Sequence, residues 1–207
     1  MSGYELHVIT TGGQDWDTVT SIVAHIWPYV TALHIREKKR NIEDITQGIQ
    51  RLLDAGVPPE KLYLNGHPSL VSEMRLGGVH LPGDSELSSI VRSYAPRLKR
   101  VGCSVHSPEE ARSRAVEGAD YVLFGHIYST SSKQGLAPRG LEALRETAAG
   151  CTAPVIAIGG IQPERVGEVL TAGAAGVAVM SGIMEAKNPV DAVQRFAAVL
   201  GRSDACD

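Results

Sequence analysis

Eight short apolar runs recur along this chain at near-even intervals, and that beat limits the folds open to it. The runs are Glu5–Thr10, Ala32–Arg36, Lys61–Asn65, Gly78–Leu81, Arg100–Val105, Tyr121–Gly125, Pro154–Ile158 and Gly176–Met180. Each is short and rich in Val, Ile and Leu, as strands buried on both faces of a parallel sheet are. Between them the hydrophobic period changes. Ile42, Ile45, Ile49, Leu52 and Leu53 fall on one helical stripe, and Val166, Val169 and Leu170 repeat the pattern within Pro163–Ala172. Helix starts are marked by Ser107-Pro108-Glu109-Glu110, Gln162-Pro163-Glu164 and Asn188-Pro189, where a capping side chain precedes a proline. Helix ends are marked by Gly56, Gly118 and Gly173.

Eight strands alternating with helices across 207 residues predict an α/β fold: a (β/α)8 TIM barrel with eight parallel strands, formed by residues 1–207 as one domain. The rival is an open doubly wound sheet, which would carry a dinucleotide-binding glycine fingerprint that this chain lacks. The net charge of −3 gives no footprint for nucleic acid or an anionic membrane, so neither is expected as a partner. No apolar run approaches the ~18 residues of a membrane span. Met1-Ser2-Gly3-Tyr4-Glu5 has neither the basic nor the apolar region of a signal peptide. Cys103, Cys151 and Cys206 form no CxxC pair, which suits a reducing, cytoplasmic setting.

In such a barrel, chemistry collects where the strands end. Those positions hold His34, Arg36 and Lys38, then Asn65, Ser104 and His106, then His126, and finally Gly159-Gly160 and Met180-Ser181. Loops after the seventh and eighth strands are the customary phosphate sites of these barrels, because bare backbone N–H groups there approach an anion closely. A phosphate-bearing small molecule is the implied ligand. Arg36 is placed to hold a carboxylate or second phosphate, although a surface pair with Glu37 or Glu43 is the commoner fate of an arginine. His126 follows Gly125 at the exit of the sixth strand, where an imidazole can shuttle a proton at neutral pH. His7, His25, His67 and His80 carry no such expectation. For a metal, only Asp84 is at hand near the fourth strand, with no clear acidic partner, so no metal and no cofactor are expected.

With these residues in view the chain resembles the thiamine phosphate synthase superfamily from end to end, and within it the TenI-type thiazole tautomerase branch. The shared marks are His34-Ile35-Arg36-Glu37-Lys38, Asn65, Gly102-Cys103-Ser104-Val105-His106, Ala119-Asp120-Tyr121, Lys133, Pro154 to Ile161 and Val179-Met180-Ser181. Synthases of the superfamily have Gln at His34, Asp at Gly66, a second acid at Ser85 and Pro at His126. Their two aspartates hold the Mg²⁺ that escorts a pyrophosphate leaving group. Their Pro-Thr-x-Thr-Lys motif reads here as Ser129-Thr130-Ser131-Ser132-Lys133.

On the tautomerase branch the resemblance implies an isomerase that aromatises a carboxythiazole phosphate, with His126 as acid–base catalyst and no cofactor. The phosphate would be held near Gly159, Gly160, Met180 and Ser181, helped by Thr130, Ser131 and Ser132. Arg36, Lys38, Asn65, Ser104 and Lys133 occupy the positions that bind pyrimidine pyrophosphate in the synthases. Two alternatives stand beside it: a thiamine phosphate synthase, a transferase, and a non-catalytic regulator that binds thiazole phosphates. The partner implied throughout is a small thiazole phosphate. Relatives often dimerise, so a homodimer is allowed, but no patch in the sequence identifies it.

Overall fold

Every apolar run becomes a strand, within one residue of its expected bounds: β1 Glu5–Ile9, β2 Ala32–Ile35, β3 Leu62–Asn65, β4 Gly78–Leu81, β5 Val101–Val105, β6 Tyr121–Gly125, β7 Val155–Ile158 and β8 Gly176–Val179. In the computed structural model, which describes residues 3–85 and 88–201, each strand pairs in parallel with the next. β8 closes on β1 through Glu5↔Gly176 and His7↔Ala178. The helices are α1 Trp16–Ile26, α2 Ile42–Asp54, α3 Pro68–Met74, α4 Ser88–Tyr94, α5 Pro108–Val116, α6 Gly140–Gly150, α7 Val166–Thr171, α8 Ser181–Met184 and α9 Pro189–Val199.

The caps show why the chain switches from loop to helix where it does. Ser107 Oγ accepts from the Glu110 N–H, and Asn188 Oδ1 accepts from the Asp191 N–H, as their sequence positions predict. Gln162 differs. It makes no side-chain cap, and the segment opens instead as a tight 3₁₀ turn at Pro163–Arg165, closed by the Arg165 N–H on the Gln162 carbonyl at 2.9 Å, before α7 begins.

Strand alternation sorts the side chains into two cores. Leu6, Val8, Leu33, Ile35, Leu62, Leu64 and Val79 face outward into the apolar layer beneath the helices. The barrel interior is filled by Ile9, Ala32, Tyr63, Tyr121, Leu123, Ile156 and Ala178, together with His7, His34 and His80, all buried. Small residues on neighbouring strands make room for the large rings. A methyl group on Gly78 would overlap the Tyr63 ring, and one on Gly102 would overlap Tyr121.

This interior is polar along one column. Arg100 grips both carboxylate oxygens of Glu5 at 2.7 and 2.8 Å and lies 4.6 Å from the centre of the Tyr121 ring. His7 bridges Glu5 at 2.9 Å and His34 at 3.0 Å. Burial alone would raise the Glu5 pKa, but hydrogen bonds from His7 and Arg100 outweigh it and hold the group at about 2. Cys103 is buried and Cys151 half-buried, both as free thiols, and Cys206 lies outside the described residues. Among the described residues no helix is long and apolar enough to cross a membrane.

Candidate active site

The C-terminal strand ends surround a cavity of about 890 Å³. All the residues singled out from the sequence as binding or catalytic candidates line it, except the strand-end His34. Arg36 and Lys38 come from the loop after β2, Asn65 from β3, Ser104 from β5, and His126 from just beyond β6. Thr130, Ser131, Ser132 and Lys133 come from the loop between β6 and α6, Gly159 and Gly160 from the loop after β7, and Met180 and Ser181 from the exit of β8. His34 does not reach this lining: it is fully buried in the barrel below, hydrogen-bonded to His7.

The loop after β2 is held from beneath. The Glu37 carboxylate is buried and accepts from Thr10 Oγ1 at 2.7 Å and from Arg40 Nε at 3.1 Å. Thr10 Oγ1 in turn accepts the Arg36 backbone N–H at 2.9 Å. Glu37 is thus committed to Arg40 and Thr10, and Arg36 goes to the cavity rather than to a surface pair with its neighbour.

Two loops meet across the opposite wall. The Ile127 N–H donates to the Ile158 carbonyl at 2.9 Å, and the Tyr128 N–H to the Gly159 carbonyl at 3.0 Å. Gly159 and Gly160 both have positive φ, 104° and 66°, a conformation that side chains rarely adopt. A methyl group on Gly159 would also overlap His126, and one on Gly160 would overlap the Ser129 carbonyl. The glycines therefore serve the turn and the close approach of these loops as well as leaving the cavity wall bare.

His126 is nearly buried, and its Nε2–H donates to the Leu136 carbonyl at 3.3 Å. The Gly125 carbonyl behind it accepts from Arg139 Nε at 3.1 Å and from His106 Nδ1 at 3.2 Å. His106 also opens α5, its backbone N–H donating to Glu110 Oε2 at 2.6 Å. It is thus both a helix-start residue and part of the cavity wall.

Sequence reasoning passed over His80. It lines the cavity, and its Nε2 lies 2.8 Å from Ser104 Oγ while its Nδ1 lies 3.3 Å from Tyr121 OH. Burial, joined by the nearby His7, holds its pKa down at about 3. The available signal was its inward register on β4, opposite Asn65 and Gly102. Ser129 and Glu110 also line the cavity without having been singled out.

The donor set does not fit the magnesium ion of the synthases. Hard cations are held by carboxylate oxygens; at Gly66 and Ser85, where the resemblance puts that ion's two acids, this chain has none, and the carboxylates on the cavity lining are Asp84 and Glu110. Glu110 is engaged by the His106 N–H. Among the described residues no group of three or more His, Cys, Asp or Glu side chains is placed to hold a metal.

Comparison with known proteins narrows the reading. Residues 6–183 match the family model described as thiamine monophosphate synthase. A thiamine-phosphate synthase from Moorella thermoacetica is 30% identical over 212 residues, covering 98% of this chain and 99% of the relative. One from Chlorobium phaeovibrioides is 34% identical over 166 residues, 79% of either chain. Among solved structures, thiamine phosphate pyrophosphorylase from Pyrococcus furiosus superposes with a TM-score of 0.78 at 25% identity, covering 96% of both chains. At 15% identity, 3-hexulose-6-phosphate synthase from Salmonella typhimurium shares the fold, with a TM-score of 0.73.

These names correct the isomerase expectation. The curated relatives from Chlorobium phaeovibrioides, Moorella thermoacetica and Xanthomonas campestris are named thiamine-phosphate synthases, which are transferases. The sequence misled through His126: its place on the cavity wall drew an acid–base role, while the bond from its Nε2–H to the Leu136 carbonyl gives it a structural tie as well. By the extent of the family match and the end-to-end similarity to the Moorella protein, the chain belongs to the thiamine monophosphate synthase family.

Proposed function

We propose that this barrel is a transferase of the thiamine-phosphate synthase kind, taking a pyrimidine pyrophosphate and a thiazole phosphate and releasing pyrophosphate. One observation carries the reading: a single cavity of about 890 Å³ with anion-binding features on two separate walls. Small-molecule sites span roughly 300–1,000 Å³, so this one has room for two heterocycles side by side. Arg36 and Lys38 occupy one wall, and the bare-backbone loops after β7 and β8 occupy the other.

The division of labour follows from the charges. Gly159, Gly160, Met180 and Ser181, with the hydroxyls of Thr130, Ser131 and Ser132, receive the phosphate of the thiazole. Arg36, Lys38 and Lys133, with the Asn65 amide, receive the pyrophosphate. Preorganised donors aimed at developing anionic charge are worth about 10²–10³ in rate each, and cations suit a departing polyanion. Ser104 faces the pyrimidine. His126 is a wall residue that ties the loop ending at Leu136 to the barrel. No step is assigned to a divalent ion, because the carboxylates for one are missing at Gly66 and Ser85.

The test is direct. Purified protein is mixed with aminopyrimidine methyl pyrophosphate and thiazole ethyl phosphate, with magnesium in one series and EDTA in another. Thiamine phosphate and pyrophosphate are then quantified. The reading expects equimolar formation of both, and a loss of about a hundredfold in Arg36→Ala. Absence of product in either series, under conditions where a relative such as the Moorella enzyme turns over, overturns it.

A further inference from the structure

Beneath the cavity floor, three side chains from three different strands form a hydrogen-bonded line: Tyr121 on β6, His80 on β4 and Ser104 on β5. Tyr121 and His80 are buried, and Ser104 stands at the cavity edge. The direction of every proton in this line can be worked out from what each group must satisfy.

Tyr121 is fully buried, and its hydroxyl meets His80 Nδ1 at 3.3 Å. A buried phenol needs an acceptor for its hydrogen. If it accepted from His80 instead, that hydrogen would be left without one, since no other bond from this hydroxyl is seen among the described residues. Tyr121 therefore donates and His80 Nδ1 accepts. Burial keeps the imidazole neutral, with a pKa of about 3, so its single hydrogen sits on Nε2. That hydrogen is given to Ser104 Oγ, 2.8 Å away. The serine's own hydrogen is then turned away from His80 and towards the cavity.

We propose that Tyr121 and His80 are positioning residues that fix Ser104 as a hydrogen-bond donor to the ligand. The site thereby selects a heterocycle that offers an acceptor atom, such as an unprotonated ring nitrogen, at that point of the floor. The same polarity makes the pair unlike a nucleophilic Ser–His dyad, in which the imidazole accepts the serine hydrogen. Ser104 carries no negative charge and attacks nothing. This inference rests on the reading of the cavity as a heterocycle site and adds the rule by which one wall discriminates. The discrimination is steep in principle, because a buried donor facing a ligand without an acceptor is left unpaired.

The experiment has two arms. In the first, long-range ¹H–¹⁵N spectra of the wild-type protein report which ring nitrogen of His80 bears hydrogen, with no ligand present. A neutral Nε2–H tautomer that persists from pH 8 to pH 5 is the expected result. An Nδ1–H tautomer, or a ring that protonates in that range, overturns the proposal. The second arm measures binding of thiamine phosphate by calorimetry in wild type, Tyr121→Phe, Ser104→Ala and the double variant. Tyr121→Phe is expected to weaken binding by about threefold to tenfold, the worth of one oriented hydrogen bond. That loss is expected to vanish in the Ser104→Ala background, because Tyr121 acts only through the serine. Full additivity overturns the proposal, as a merely structural tyrosine would weaken binding equally with or without Ser104. If thiamine phosphate fails to bind the wild-type protein, the functional reading fails, while the first arm still decides the direction of the line.

Discussion

At the scale of single residues, the sequence disclosed side chains that stand at strand ends and concealed those that act from within the barrel. Arg36, Asn65, Ser104 and Gly159 were legible because a parallel barrel brings the C-terminal end of every strand to one mouth. His80 was not, because one histidine in a short apolar strand reads as a core residue, and its partners Tyr121 and Ser104 lie 41 and 24 positions away. His126 shows how one position supports two roles. Its exit position drew an acid–base role, whereas its Nε2–H is bound to Leu136. Replacing His126 by Asn, whose amide can keep that contact, is expected to lower the rate of thiamine phosphate formation by less than about tenfold. A proton shuttle would lose about 10²–10⁴, so steady-state turnover of His126→Asn separates the two roles, and a loss in that range would count against a transferase wall.

At the scale of elements, strand bounds were readable to within a residue because the apolar runs end at turn and cap signals. What the runs did not disclose was the second period inside them. Glu5, His7, His34, Asn65, His80 and Ser104 sit at inward positions of strands whose outward positions are Leu, Ile, Val or Cys. That alternation marks a polar interior, yet it is faint in strands of four or five residues. The fit between strands is just as local. Gly102 on β5 leaves the space that the Tyr121 ring occupies from β6. Gly102→Ala should therefore destabilise the fold by about 1–3 kcal/mol through overpacking, measured as a lowered urea midpoint. An unchanged midpoint would mean that the ring moves aside freely, and with it the hydroxyl that meets His80.

For the molecule as a whole, the buried imidazoles set the response to acid. Burial lowers the pKa of His34 well below its ordinary value and that of His80 to about 3, from 6.5 in the free side chain. Below pH 6.5 the unfolded chain therefore binds protons that the folded chain refuses. Stability is full above that pH and falls as the pH drops towards 3, with a slope approaching about 1.4 kcal/mol per pH unit for each such histidine. Glu5 adds a loss lower down, between 4.5 and about 2. Urea denaturation at pH 7, 6 and 5 should give steadily lower midpoints, and His80→Gln should flatten the trend. Equal midpoints at pH 7 and 5 would contradict buried neutral rings.

The column that runs from the Arg100–Glu5 pair to Ser104 has one more consequence. Its upper members are at once the packing of the barrel and the floor on which a ligand rests. Affinity and rigidity are therefore drawn from the same atoms, and a defect at the base should dull recognition at the rim while the chain is still folded.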